Sequence, residues 1–186
     1  MELLDFFFRQ ITLLKTNKAI LAELRAITKD KAHWQTAIDD VAARLGERYS
    51  AEVKAKALWL LGEMGLQYPA QAQSYIEQIA GYLDSGNPKL RERAVNALGR
   101  IGRADKALIL SFFDSLMHMR SDTSDAVRLA FVCACENVAR FIFSGKIAPL
   151  KNTASLLIAN VAYQYMRYCA SMQQLPKLTL CSVAAF

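Results

Sequence analysis

The stretch Leu90-Arg-Glu-Arg-Ala-Val-Asn-Ala-Leu-Gly-Arg-Ile-Gly102 has two relatives in the chain, one before it and one after it. They are Val53-Lys-Ala-Lys-Ala-Leu-Trp-Leu-Leu-Gly-Glu-Met-Gly65 and Val127-Arg-Leu-Ala-Phe-Val-Cys-Ala-Cys-Glu-Asn-Val-Ala139. The first residues lie 37 positions apart in both steps, from 53 to 90 and from 90 to 127, so the period contains no insertion. Self-similarity at a fixed period of this length is the sequence signature of stacked repeats.

Within each copy the apolar residues recur at helical spacing. Steps of three and four place them on one stripe of a helix, which predicts one buried face. The residue three positions before each copy is a preferred N-cap, namely Ser50, Asn87 or Ser124. The three stripes are Val53, Ala57, Leu60, Leu61 and Met64; Leu90, Ala94, Ala97, Leu98 and Ile101; and Val127, Ala130, Phe131, Ala134, Cys135 and Val138.

A shorter apolar stripe precedes each of these helices, so the repeating unit is a pair of helices. These stripes are Ile38, Val41, Ala42 and Leu45; Ile76, Ile79, Ala80 and Leu83; and Ile109, Phe112, Phe113 and Leu116. The sequence therefore predicts an all-α fold, a right-handed α-solenoid of stacked antiparallel helix pairs with about 8 to 9 helices.

The first two copies contain two glycines each at equivalent positions. Gly62 and Gly99 are expected to let a neighbouring helix approach closely, because glycine has no Cβ. Gly65 and Gly102 are expected to end their helices at the C′ position. The third copy lacks these glycines, so its helix is expected to continue to about Phe143.

The whole chain is expected to form a single solenoid domain, 1–186. It divides into an N-terminal cap (1–30), three repeats of the 37-residue period (31–145), a C-terminal capping helix (146–174) and an irregular tail (175–186).

The pattern of helix, turn, cationic helix start and Leu-Gly-x-aliphatic-Gly ending resembles the HEAT-repeat family, particularly its short bacterial and archaeal variety. The resemblance covers roughly residues 38–145 and implies a solenoid that binds a partner on its concave face. HEAT-like proteins also include nucleic-acid-binding DNA-repair glycosylases, pigment lyases and chaperones. The residues that carry it best are Asp84, Asn87, Pro88, Leu90, Arg91, Ala94, Ala97, Leu98, Gly99, Ile101 and Gly102.

Composition sets broad limits on partners and location. Lys and Arg outnumber Asp and Glu by 23 to 17, which gives a net charge of +6 and permits an acidic partner. The N-terminus does not read as a signal peptide and no stretch is apolar enough for a bilayer span, so a cytoplasmic protein without membrane contact is expected. The four cysteines have no C-x-x-C spacing and are expected to be reduced.

The most prominent candidate for binding is a column of cations in the 37-residue register: Lys54, Arg91 and Arg128. Further cations lie nearby on the same second helices, namely Lys56, Arg93, Arg100, Arg103 and Arg140. Packed helices lie about 8 to 10 Å apart, so these side chains would form a ladder that tracks a phosphate backbone or an acidic peptide. The alternative is that each cation pairs with an acidic residue at the preceding turn and only stabilises the repeat. The acidic residues in that register are Glu47, Asp84 and Asp122.

Other candidates lie where the period fails. Arg100, Arg103 and Lys106 form a basic cluster at one helix end, which either contacts a ligand or only complements the helix dipole. Trp34, in a polar setting, is a candidate partner anchor, whereas Trp59 is expected to pack between repeats.

The sequence contains few residue patterns that would indicate catalysis. His33 and His118 are the only histidines and form no His-Glu pair, which argues against a di-iron enzyme on HEAT-like repeats. Asp114, His118 and Asp122 form a weak metal candidate at four-residue spacing, with a surface salt-bridge stripe as the alternative. The sequence therefore predicts a non-enzymatic scaffold without cofactors that binds a protein or peptide. Nucleic-acid binding through the basic column is the alternative.

Overall fold

The computed structural model describes residues 17–143, and every regular element in that range is a helix. This confirms the all-α prediction. The α-helices are α1 (17–29), α2 (Trp34–Ala43), α3 (Ala51–Gln67), α4 (Pro69–Ala72), α5 (Ile76–Ala80), α6 (Pro88–Ala104), α7 (Phe113–His118) and α8 (Asp125–Phe143). Short 3-10 helices lie at Lys31–His33, Gln73–Tyr75, Gly81–Asp84, Lys106–Phe112 and Met119–Ser121.

The long helix α6 is the centre of the described structure, because it packs against both α3 and α8. The predicted stripes of α3 and α6 are fully buried, and that of α8 is buried except for the partly exposed Cys135. Leu58 and Val95, which lie 37 residues apart outside those stripes, are also buried completely. A helix with neighbours on several sides buries more than one face, so the amphipathic pattern underestimated the core.

The predicted caps are in place at two helix starts. Ser50 Oγ accepts a hydrogen bond from the Val53 N–H at 3.4 Å, and Asn87 Oδ1 accepts one from the Lys89 N–H at 2.9 Å. Ser124 directly precedes α8, and its backbone carbonyl accepts from the N–H groups of the third and fourth residues after it. The capped positions keep the 37-residue spacing and therefore start α3, α6 and α8 in register.

The closest approach between these helices occurs at the two predicted glycines. A Cβ on Gly62 would lie 2.7 Å from the Cα of Ala97, and a Cβ on Gly99 would lie 2.7 Å from the Cα of Ala134. Ala97 and Ala134 are themselves 37 residues apart, so the same contact is made twice. Because both neighbours are backbone atoms, no side-chain rotation makes room for a larger residue.

Gly65 and Gly102 do not end their helices, and that prediction is wrong. α3 continues to Gln67 and α6 to Ala104, two residues further in each case. Both glycines are used for packing instead: a Cβ on Gly65 would lie 2.5 Å from Ile101 Cγ1, and one on Gly102 would collide with Ile109.

The first helices of the pairs are less regular than the sequence suggested. Their apolar stripes are mostly buried, with Phe112 and Phe113 only partly covered. However, α5 and α7 are short and flanked by 3-10 turns, so those stripes run over mixed helical segments. α8 extends to Phe143 as expected, and the predicted capping helix (146–174), the tail (175–186) and residues 1–16 of the N-terminal cap lie outside the described residues.

Across residues 17–143, none of the helices combines the length and the apolar character that crossing a bilayer requires.

Replacing Gly99 by Ala tests the close contact. The new methyl group meets the Ala134 backbone, so we expect the free energy of unfolding to fall by about 1 to 3 kcal/mol despite the better helix propensity of alanine. Urea denaturation of the full chain measures the change. Gly81→Ala is the matched control: this glycine has helical backbone angles and open space around it, so we expect no loss and a gain of up to about 1 kcal/mol. Equal effects of the two substitutions would contradict the contact.

Candidate functional site

The cation column predicted from the period is used largely inside the protein, beginning with Arg91. Its Nε and Nη2 donate to the two carboxylate oxygens of Asp122 at 2.7 and 2.8 Å, and its Nη1 donates to the Ser85 carbonyl at 2.7 Å. The Arg91 and Asp122 side chains are only 14% and 6% exposed. The hydrogen bonds from Arg91 hold the pKa of Asp122 below its usual range, against the opposing effect of burial. This guanidinium therefore joins two consecutive turns.

The other two members of the column are also engaged. Arg128 Nη1 donates to the Asp122 carbonyl at 2.6 Å, and its Nη2 pairs with the Asp125 carboxylate. Lys54 lies over the Tyr82 ring, with Nζ 5.9 Å from the ring centroid.

The predicted pairing order of this column is wrong in two of its three steps. Arg91 binds Asp122 in the following turn rather than Asp84, and Lys54 contacts a ring rather than Glu47. The reason for the Arg91 shift is geometric: the carbonyl of Ser85 already satisfies Nη1 in its own turn, which leaves the rest of the planar fork pointing towards the next turn. For Arg128, it is the backbone carbonyl of Asp122 that accepts, while the carboxylate of Asp122 is held by Arg91.

A separate open groove, of about 640 Å³, lies between the N-terminal halves of α3 and α6. Its cations, Lys56, Lys89 and Arg93, do not belong to the predicted column. Lys54 and Lys56 are two residues apart, which separates them by about 200° around the helix, so they serve opposite faces. The groove is lined by Ala51, Glu52, Ala55, Lys56, Trp59, Asn87, Lys89 and Arg93.

Positive charge converges on Lys56. Burial lowers the pKa of its ammonium below the usual value, and the nearby guanidinium groups of Arg25 and Arg93 lower it further, with Glu63 acting in the opposite direction. Lys56 Nζ lies 4.0 Å from the centroid of the Trp59 ring. Lys56 and Arg93 form no salt bridge with any residue in the described range. Neighbouring cations that are not neutralised by a salt bridge favour the binding of an external anion.

Other charges on the same faces are partly neutralised. Lys89 Nζ lies 2.6 Å from Glu92 Oε2 in an exposed pair. Arg100 Nη1 lies 3.0 Å from Glu63 Oε1, which joins α6 to α3, but the angle leaves this buried nitrogen without a hydrogen bond in the described region. Glu63 occupies the same repeat position as Arg100, so the repeat itself supplies the partner.

The predicted cluster of Arg100, Arg103 and Lys106 does not line the groove. It lies at the C-terminal end of α6 and in the following 3-10 helix, whereas the groove lies at the N-terminal half. Within residues 17–143, the buried Nζ of Lys106 has no hydrogen-bond partner.

Trp34, the candidate partner anchor, is buried, whereas Trp59 packs partly against the core as expected. Trp34 is 2% exposed and its indole N–H donates to the Ile27 carbonyl at 2.8 Å, so it closes the connection between α1 and α2. The expectation of an exposed ring there is wrong. Trp59 is only partly buried and lines the groove. Tertiary contacts around the ring decided its exposure, which the polar sequence neighbours of Trp34 did not reveal.

The weak metal candidate is not assembled. α7 ends at His118, the chain continues as a 3-10 turn, and the Asp122 carboxylate is bound to Arg91. No group of three or more metal-ligating side chains comes together in the part of the chain that the structure describes. Burial raises the pKa of Cys135 to about 12, so this thiol stays protonated at neutral pH.

No family model, curated protein or solved structure matches this chain. The groove had a signal in the sequence that the column obscured: Lys56 and Arg93 share a repeat position, and Trp59 lies three residues beyond Lys56 on the same helix face.

Breaking the Arg91 pair should destabilise the fold. We expect Arg91→Leu to lower the free energy of unfolding by roughly 3 kcal/mol, because it leaves the Asp122 carboxylate desolvated and unpaired. Chemical denaturation at pH 7 measures this. Lys89→Met, which removes an exposed pair, should cost less than about 1 kcal/mol and serves as the control.

The same pair predicts a pH dependence. The folded pKa of Asp122 lies below the ordinary value of 3.8, so its stabilisation is complete above that value and is lost as the pH falls through the folded pKa. Asp122→Asn should therefore be less stable at pH 7 and lose less stability than wild type between about pH 4 and pH 2. Parallel acid profiles for the two proteins would contradict the assignment.

Proposed function

We propose that this protein is a non-enzymatic protein-interaction module. In this proposal the helix pairs form a HEAT-like right-handed solenoid, and α3, α6 and α8 line its concave binding face. Support for the stacking comes from the contact of Gly62 with Ala97, which recurs between Gly99 and Ala134 after one repeat. A cytoplasmic location stays a prediction.

The observation that carries the binding proposal is the groove between α3 and α6. It combines about 640 Å³ of open space, a partly exposed tryptophan and three cations facing one carboxylate. A stabilising role does not explain Lys56 and Arg93: charges that only support a fold are paired, as Arg91 is with Asp122, whereas these two cations form no salt bridge within residues 17–143. Aromatic rings beside cationic side chains are typical of residues that dominate binding at interfaces.

Site-specific photo-crosslinking in cells tests the proposal. A photo-reactive amino acid is placed at Glu52, an exposed groove residue on α3, in the full chain. We expect covalent adducts whose mass spectra contain peptides of a partner protein and whose gel mobility is unchanged by nuclease.

The control has the same amino acid at Glu77, an exposed position on α5 that does not line the groove. It should give few adducts. Adducts of equal yield at both positions, or adducts at Glu52 that nuclease removes, would refute the proposal.

Nucleic-acid binding is the second candidate, and one observation favours it: three cations line the same groove as the Trp59 ring, on which a base could stack. Against it, the positions on α8 equivalent to Lys89 and Arg93 are Ala126 and Ala130, so the cations do not continue along the path that a nucleic-acid strand would follow.

Oligonucleotide titrations against salt compare the two candidates. We expect single-stranded DNA to bind only at the non-specific level, with Kd of about 10⁻⁴ to 10⁻⁶ M at physiological salt. Three phosphate contacts would give a log–log salt slope of about −2. Much tighter binding with a steeper slope would place nucleic acid ahead of protein.

A further inference from the structure

We propose that the groove between α3 and α6 binds an extended acidic segment of a partner protein, with its carboxylates on Lys56, Lys89 and Arg93 and an apolar side chain on Trp59. This inference rests on the proposed function and adds the chemistry of the partner.

The charge of the lining selects an anionic ligand. Three cations and one carboxylate line the groove, and Lys89 is the one cation of the three that is already paired, with Glu92. Arg25 of α1 adds a positive charge near Lys56. A carboxylate placed among these groups would offset the repulsion that Lys56 now experiences from Arg25 and Arg93. The energy needed to hold these charges together in the unbound protein is thus recovered when an acidic side chain binds.

The uncharged part of the lining provides for an apolar side chain. Ala51 and Ala55 present only methyl groups, and Trp59 presents part of a large ring next to them. A ligand of carboxylates alone would leave this surface without a partner, whereas a peptide can place an aliphatic or aromatic residue there.

The extent of the basic surface favours a short segment over a long polymer. One repeat further, on α8, the positions equivalent to Lys89 and Arg93 are Ala126 and Ala130, neither of which carries a positive charge. The groove cations are therefore confined to α3 and α6. A binder that follows a nucleic-acid backbone needs cations along the whole path, which α8 does not supply at these positions.

Helix spacing sets the expected pattern of the ligand. Neighbouring packed helices lie about 8 to 10 Å apart, and an extended chain advances about 3.4 Å per residue with side chains alternating in direction. Acidic residues two positions apart point to the same side of an extended chain, about 7 Å from each other. The long side chains of Lys56 on α3 and Arg93 on α6 can span the remaining difference and bind both.

The test uses the full chain and a dye-labelled peptide, Gly-Ser-Glu-Glu-Phe-Glu-Glu-Leu-Gly-Ser, followed by fluorescence anisotropy at low salt. We expect saturable binding that weakens as salt increases and that falls at least tenfold when every Glu of the peptide is replaced by Gln. Trp59 reports independently: acrylamide should quench it in the unbound protein and less so with peptide present, while the buried Trp34 stays shielded throughout.

The key variant is Arg93→Glu, which should reduce the affinity at least tenfold. Arg120→Glu changes the net charge equally at an exposed position outside the groove and should leave the affinity within a factor of about two. Thermal unfolding of both variants checks that each is folded. If Arg93→Glu does not fold, Lys56→Gln serves as the second groove variant.

The inference is overturned if the Glu and Gln peptides bind alike, if neither binds, if both arginine variants lose affinity equally, or if a single-stranded oligonucleotide binds the groove more tightly than the Glu peptide. If one of these results is obtained but photo-crosslinking at Glu52 still gives protein adducts, the proposed function stands and only the acidic nature of the partner is refuted. Absence of such adducts removes the proposed function itself.

Discussion

The rest of the structure depends on the close approach of α3, α6 and α8 at two glycines. Gly62 lies against the backbone of Ala97 and Gly99 against that of Ala134, at distances that exclude a side chain on either glycine. Since the contact recurs after 37 residues, it fixes both the separation and the axial register of three helices. Equivalent positions then become neighbours in space. That register places Arg93 beside Lys56 and Arg100 against Glu63, so the charge pattern of the surface follows from packing in the core.

The same register separates two roles for positive charge. Arg91 and Arg93 are two residues apart on α6 and so point in different directions. Arg91 binds the buried carboxylate of Asp122 and the carbonyl of Ser85, which lie in two different turns. Burial makes its charged hydrogen bonds to Asp122 strong. Arg93 faces a groove with another cation near it. A regular column in the sequence is therefore no guide to which of its cations are available. The direction of each side chain and the distance to an acidic group decide that.

Local patterns predicted the parts of the fold that local physics controls. The buried stripes, the caps at Ser50 and Asn87 and the close approach at Gly62 all follow from helical periodicity and from side-chain chemistry. Contacts distant in sequence were not predictable in this way. The partner of Arg91 lies 31 residues away, and the exposure of Trp34 depends on a carbonyl in another helix. Gly65 misled for a related reason: its missing side chain makes room for Ile101 rather than ending a helix.

The repeat also carries information where it stops repeating. The position equivalent to Gly62 and Gly99 in the third copy is Glu136, so the glycine used for close contact in α3 and α6 is absent from α8. The cations of the groove end at the same copy, since Ala130 replaces the residue equivalent to Lys56 and Arg93. The contact glycine and the groove cation are thus both absent from the third copy. A substitution that moved the helices apart at Gly62 would therefore change the shape of the groove as well as the stability of the fold, because that contact sets the spacing between Lys56 and Arg93.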